Sequence, residues 1–380
     1  MELRKFSIPE IIFGRGSLRY AGRCARQLGA EKVFLVSDPG LEQAGWVERL
    51  TETLEEEKLR WVYYNDIVSN PRDLQVEKGA AIYQEEEADV VIALGGGSPM
   101  DAAKGIALVA SNGGQIRDYE GANRIQRPLP PMVFIPSTAG SGSDITQFCI
   151  ITDVQRKVKM SIISRSLVPN VSIIDPLLLQ TKPENLIIAA GIDALSHAVE
   201  SYVSKIATPF TELQSLQAIR LILEYLEIAL ESRSLDSLEQ LSTASTAAAM
   251  AFSNAGLGAD HALAHSLGGM FDTLHGLVHP VLLPPVMRFN LPECVEKMAN
   301  IGEVVLKTRH RSQEATARAG IERLGEYCES LKVSIHLREI VQDSSKLPDL
   351  CKMALNDACL LTNPRVATCE DLLQICEEAW

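Results

Sequence analysis

VVIALGGGSPMDAAK, residues 90–104, is the stretch on which the fold turns. Val90 to Leu94 is apolar at every position, whereas a strand wet on one face would alternate. Such a strand belongs inside a parallel sheet covered on both sides. Gly95, Gly96 and Gly97 end it, and Ser98-Pro99 reads as the start of a helix, because proline's fixed φ and missing N–H suit the first helical turn. Outward from this unit the pattern repeats. Val33–Val36, Met132–Ile135 and Val171–Ile174 are further two-faced apolar runs, and Gly40–Lys58 and Asp73–Glu87 carry helix formers charged on one side. The alternation predicts an α/β doubly wound parallel sheet. After Asp175-Pro176 the β-branched runs stop and the chain reads as successive helices, with the boundary at Leu177–Pro183. We therefore expect a dinucleotide-binding α/β domain over residues 1–180 and an all-helical domain over 181–380.

Three glycines at a strand's carboxyl end let the backbone approach a diphosphate closely, and free N–H groups at the following helix supply positive character. Gly96, Gly97 and Ser98 are the candidate contacts. The pattern is not Gly-x-Gly-x-x-Gly. A second turn, residues 136–144, offers Ser137, Thr138 and Ser141 from the same sheet edge. Asp38 ends the first apolar strand, where a carboxylate accepts hydrogen bonds from ribose hydroxyls and repels a 2′-phosphate, favouring NAD over NADP.

Net charge and composition narrow the class. At 380 residues and 46% hydrophobic the chain can bury two cores, and a formal charge of -13 without a basic block repels a phosphate backbone. Neither nucleic acid nor membrane is expected as a partner. The first residues lack the apolar run of a secretory signal, and the uncharged segment Leu241–Ala259 is rich in Ala and Ser, as in a packed core helix. The eight cysteines form no Cys-x-x-Cys pair, which suits free thiols in a cytosolic protein. Cys351 with Cys359, and Cys369 with Cys376, have spacings that fall on one helical face.

The histidines are concentrated. Of the seven in the chain, five lie between residues 197 and 279. Asp193 and His197 are four apart, hence on one face of a helix, and the spacing recurs in His261/His265 and His275/His279. A carboxylate with imidazoles makes a mixed oxygen and nitrogen shell that suits Fe(II) or Zn(II) better than magnesium or calcium.

With these motifs in place the chain resembles the iron-containing (group III) alcohol dehydrogenases over almost its whole length. The likeness rests on Phe13-Gly14-x-Gly16, Asn70-Pro71, Gly95–Asp101, Thr138–Thr146, Ile151-Thr152-Asp153, Gly191–Glu200, Ala251–Asn254, His261–Gly269, His275-Gly276 and Asn363-Pro364-Arg365. It implies the dehydroquinate synthase-like architecture and Asp193, His197, His261 and His275 as metal ligands, with Fe(II) as the ion and Zn(II) as the alternative. It implies that His265 serves catalysis and that His279 stands outside the ligand set. By the same resemblance Asp38, Asn70, Gly97, Ser98, Asp101, Thr138, Ser141, Phe148, Lys159 and Leu178 surround NAD. The substrate would be a small primary alcohol, diol or aldehyde, and the enzyme a homodimer or higher homo-oligomer. Two positions depart from the family's pattern: Asp260 stands where an apolar residue is expected, and His279 where asparagine is common. The same general architecture resembles glycerol dehydrogenase and dehydroquinate synthase, so a zinc polyol dehydrogenase or a sugar-phosphate cyclase is the competing enzyme. A silent dinucleotide- or metal-binding protein is the competing class, and broken ligands would favour it.

Overall fold

Apolar residues that alternate in and out of a sheet must find cover on both faces, and the strands here do so. A computed structural model describes residues 5–380 apart from 332, 334 and 335. The chain falls into two compact units, Met1–Pro183 and Glu184–Trp380. In the first, strands β1 (Glu10–Phe13), β2 (Lys32–Val36), β3 (Arg60–Tyr64), β4 (Val90–Gly95), β6 (Met132–Pro136) and β9 (Val171–Ile174) form one sheet in the order β1-β9-β6-β4-β2-β3. Every pairing in it is parallel. Phe34, Val36, Val91 and Ala93 pack into one core with Met100 and Ile106, while Val33, Leu35, Val90, Ile92 and Leu94 pack into another with Leu50 and Leu54. Period two along each strand thus divides its side chains between two helical layers. These are α4 (Asp73–Glu85) and α5 (Gly97–Asn112) on one face, and α1 (Ala21–Gln27) and α3 (Trp46–Glu56) on the other. Each fully buried Val, Leu or Ile contributes about 1.5–3 kcal/mol, so the sheet core dominates this unit's stability.

Three features differ from the expected pattern. Gly40–Lys58 is two helices, α2 (Pro39–Gln43) and α3, because Gly45 between them has φ 78°. The edge strands β1 and β3 are only partly buried and lack the two-faced signature. A second, three-stranded sheet joins β5 (Gly121–Ala122), β8 (Val158–Ile163) and β7 (Phe148–Asp153), with β7 and β8 antiparallel. Lys104 of α5 is fully buried yet satisfied, its Nζ donating to Phe148 O at 2.7 Å and Thr146 O at 2.8 Å.

The second unit is helical: α6 (Glu184–Val203), α7 (Pro209–Ser232), α8 (Leu235–Ala255), α9 (Ala259–Phe271), α10 (His279–Asn290), α11 (Val295–Leu306), α12 (Gln313–Ser330), α13 (Leu347–Ala354) and α14 (Cys369–Glu378). By length and composition α6 could cross a membrane, but 89% of its most apolar window is buried, as in a core helix. The uncharged segment at 241–259 is broken at Gly256 (φ 73°), where α8 ends. Helix α13 stops at Ala354, so Cys359 falls in a separate turn, and Cys351 meets Cys376 instead, with the sulfurs 4.0 Å apart. All eight cysteines are free thiols.

Candidate metal and cofactor sites

Strands β2, β4 and β6 are neighbours, so the turns at their carboxyl ends share one sheet edge. Ser37 Oγ donates to Leu94 O at 2.8 Å and Ser137 N to Gly95 O at 2.8 Å, tying the three turns together. Gly96 precedes α5 as its cap and Gly97 begins it. A Cβ on Gly96 would lie 3.3 Å from Thr138 Cγ2, and one on Gly97 would lie 3.0 Å from Ser141 Cβ, so glycine permits the two turns to stand this close. The structure therefore brings Gly96, Gly97, Ser98, Thr138 and Ser141 together beside free amides at the start of a sixteen-residue helix. Such a cradle fits the diphosphate of a dinucleotide.

Other expected contacts have different surroundings. Asp38 caps α2, accepting from Leu41 N at 3.1 Å. Asp101 accepts from Ser143 Oγ and, at 3.1 Å, from Ile150 N, so its carboxylate fastens the second turn to β7. Ser137 is wholly buried, and Leu178 lies in the core behind the sheet. Asn70 is buried with φ 55°, and the carbonyl of Pro71 after it accepts from Thr152 N at 2.8 Å. Phe148 and Lys159 belong to the antiparallel pair β7 and β8, with Lys159 opposite Thr152.

The helical unit gathers the histidines. One turn of α6 sets Asp193 above His197, α9 supplies His261 and His265, a short 3-10 turn (His275–Leu277) supplies His275, and His279 opens α10. Four imidazole Nε2 atoms surround Asp193 Oδ1: His279 at 3.3 Å, His197 at 3.5 Å, His261 at 3.5 Å and His275 at 3.7 Å. The donors of Asp193, His261, His275 and His279 all lie within 4.8 Å of one another. Ligands held about 2.0–2.2 Å from one ion stand roughly 3.0–3.6 Å apart, close to the 3.3–3.7 Å that separate these nitrogens from Asp193 Oδ1. Among the described residues, Asp193 Oδ1, His261 Nε2 and His279 Nε2 are buried without a hydrogen-bond partner. Buried polar atoms that converge yet do not bond one another cost stability unless something lies between them. A divalent ion fits the donor set.

Electrostatics agree. Burial alone would raise the Asp193 carboxyl, but the surrounding imidazoles hold it well below the usual range. Burial lowers His197 to about 3, which keeps its imidazole neutral. At His261 burial pulls the same way, yet Asp193 and Glu200 outweigh it and raise the ring to about 10.

Known proteins resemble the chain over its whole length. Residues 9–176 match the family described as iron-containing alcohol dehydrogenase, and residues 187–380 match the Fe-containing alcohol dehydrogenase family, C-terminal. The chain belongs to the iron-containing alcohol dehydrogenase family. It is 38% identical to an NAD-dependent methanol dehydrogenase of Bacillus methanolicus, across 98% of this chain and 99% of the relative. It is also 38% identical to a 1,3-propanediol dehydrogenase of Klebsiella pneumoniae, across 100% of both. A crystal structure of a 1,3-propanediol oxidoreductase superposes with a TM-score of 0.96 at 36% identity, covering 100% of each chain.

Three carboxylates of this iron-containing alcohol dehydrogenase escaped the sequence reading as members of the site, or were left without a partner. Glu200 Oε2 bonds His261 Nδ1 at 2.7 Å, while its Oε1 accepts from Asp260 N at 2.8 Å and so caps α9. One carboxylate thus orients a ring and anchors the helix that carries it. Asp357 Oδ2 bonds His265 Nδ1 at 2.8 Å. Asp260 Oδ2 bonds His279 Nδ1 at 2.6 Å, deep in the core. Glu200 was within reach of pattern reading, seven residues after Asp193 and three after His197 on one helical face. Asp357 had no such signal.

Proposed function

We propose that Asp193, His197, His261 and His275 hold a divalent metal, that the turns at Gly96–Ser98 and Ser137–Ser141 hold the diphosphate of NAD, and that His265 handles the proton. The observation that carries the metal assignment is the set of imidazole nitrogens of His197, His261 and His275 at 3.5–3.7 Å from the buried Asp193 Oδ1. The chain is a metal-dependent, NAD-linked alcohol dehydrogenase or aldehyde reductase acting on small primary alcohols or diols, with Fe(II) as its metal. When bound, the ion supplies Lewis acidity toward an alcohol or carbonyl oxygen, and NAD supplies the hydride acceptor.

The chain's own residues prepare that chemistry. With its proton on Nδ1 facing Asp357, His265 presents Nε2 as an acceptor, and the Asp357 carboxylate stabilises the ring once it is doubly protonated. The ring lies parallel to that of His275, with centroids 5.3 Å apart, so the proton handler sits beside a metal ligand. Phe252 stacks on His197 at 4.0 Å and gives the pocket an apolar wall suited to a small alcohol. A cytosolic homo-oligomer completes this reading; the free thiols support the cytosolic part.

The test supplies NADH and a panel of short aldehydes to metal-free, Fe(II)-loaded and Zn(II)-loaded protein while following nicotinamide absorbance. Consumption of NADH by the Fe(II) form, and none by the metal-free form, is expected. No consumption with any aldehyde and either metal would leave a silent binding protein. Replacing His265 by Asn is expected to lower kcat by about 10²- to 10⁴-fold, the usual share of a positioned acid-base group, with metal content unchanged. Loss of metal in that variant would make His265 a ligand instead.

A further inference from the structure

We propose that His279 is a further ligand of the metal, held in place by Asp260, so that this chain offers one carboxylate oxygen and four imidazole nitrogens. The inference builds on the assignment of Asp193, His197, His261 and His275 to the ion. His279 and Asp260 are both wholly buried. Asp260 Oδ2 lies 2.6 Å from His279 Nδ1, a short contact that fixes the proton on Nδ1 and leaves a lone pair on Nε2. That lone pair faces Asp193 Oδ1 at 3.3 Å, closer than any of the other three rings and without a hydrogen bond between the two atoms. A direct charge-assisted bond between an imidazolium and a carboxylate would draw them to about 2.7–2.9 Å. Two acceptors facing each other across this gap repel unless a proton or a metal ion stands between them, and the 3.3 Å separation is longer than a proton-bridged pair would hold.

Charge leads to the same place. Asp193, Glu200 and Asp260 bury three carboxylates around the ring, and Asp260 Oδ1 has no hydrogen-bond partner among the described residues. Buried carboxylates without a counter-charge are strongly unfavourable, and a divalent ion reached through His279 supplies it. The arrangement repeats the one at His261, where Glu200 holds Nδ1 and leaves Nε2 toward Asp193. Five protein donors exceed the three that catalytic zinc sites keep beside their open position. They suit an ion that accepts five or six ligands, such as Fe(II), and leave room for a substrate oxygen.

The experiment counts imidazoles around Fe(II) by X-ray absorption in the wild-type protein and in His279→Asn, and measures Fe(II) affinity by chelator competition in both and in Asp260→Asn. Four imidazoles in the wild type and three in His279→Asn support the proposal. So does a fall in affinity of about 10- to 100-fold in Asp260→Asn, where the ring keeps an acceptor but loses the charge behind it. Should His279→Asn strand the Asp260 charge and fold poorly, the double variant Asp260→Asn/His279→Asn replaces it in the count. Three imidazoles in the wild type, with affinity unchanged in both single variants, overturn the role of His279 and leave the other ligands standing. A wild-type protein that takes up no Fe(II) overturns the whole metal assignment as well.

Discussion

Asp193→Ala protein is expected to emerge from dialysis against a mild chelator with no more than trace metal, and to lose at least about 10³-fold in kcat/KM. Asp193 Oδ1 lies within 3.7 Å of all four rings and is the single anionic donor among them. Without it the imidazoles retain nitrogen donors but lose the charge that draws a divalent ion into a buried pocket. Lewis-acid stabilisation supplies several kcal/mol to such reactions, and each 1.36 kcal/mol is about tenfold in rate, so losing the ion costs three or more powers of ten. Metal content by elemental analysis and NADH titration check the two halves separately. The Gly96–Ser98 turn belongs to the other unit, so NADH affinity should persist. Retained metal with lost activity would mean that Asp193 acts on substrate and does not anchor the ion.

Gly276→Ala is expected to damage both stability and metal binding, although it adds one methyl group and removes no donor. The Cβ would stand 2.2 Å from Ala189 O and 2.6 Å from Ala189 C, backbone atoms of α6 that cannot swing aside. Either α6 or the His275–Leu277 turn must move. Overpacking of this kind costs about 1–3 kcal/mol, and contact with rigid backbone belongs at the upper end. Since α6 carries Asp193 and His197 while the turn carries His275, the same displacement pulls ligands apart. Metal affinity should fall by at least about tenfold, and Tm by several degrees, on the usual scale of roughly 2–4 °C per kcal/mol for a unit of this size. Calorimetry with and without Fe(II) separates the two effects, and an unchanged metal affinity would show that the turn yields without disturbing His275.

What could be read in advance divides along physical lines. Val33–Val36, Val90–Leu94, Met132–Ile135 and Val171–Ile174 announce themselves because a central parallel strand must be apolar on both faces. The edge strands β1 and β3 meet no such demand, and their part-buried residues read as ordinary chain. The β7 and β8 pair depends on partners rather than on composition, since antiparallel register is set by what lies opposite. In the helical unit, four-residue spacings marked Asp193/His197 and the histidine pairs because a helix turns local sequence into shared space. His265 and Asp357 are 92 positions apart, and only the folded chain joins them. Asp260 and His279 were each noticed as departures from the family's pattern. Their pairing became visible when α9 and α10 brought Oδ2 to 2.6 Å from Nδ1.

The metal ring is unevenly sheltered. The side chains of His197, His261, His279 and Asp193 are 5%, 1%, 0% and 7% exposed, whereas that of His275 is 25% exposed. An ion entering or leaving must shed its last bond somewhere, and the ring that can lean aside without opening the core is His275. Exchange half-life is therefore expected to follow the short turn beside α6, and equilibrium retention the buried donors. Chelators should accordingly differ in speed by their size and reach toward that turn, even where they bind iron equally well.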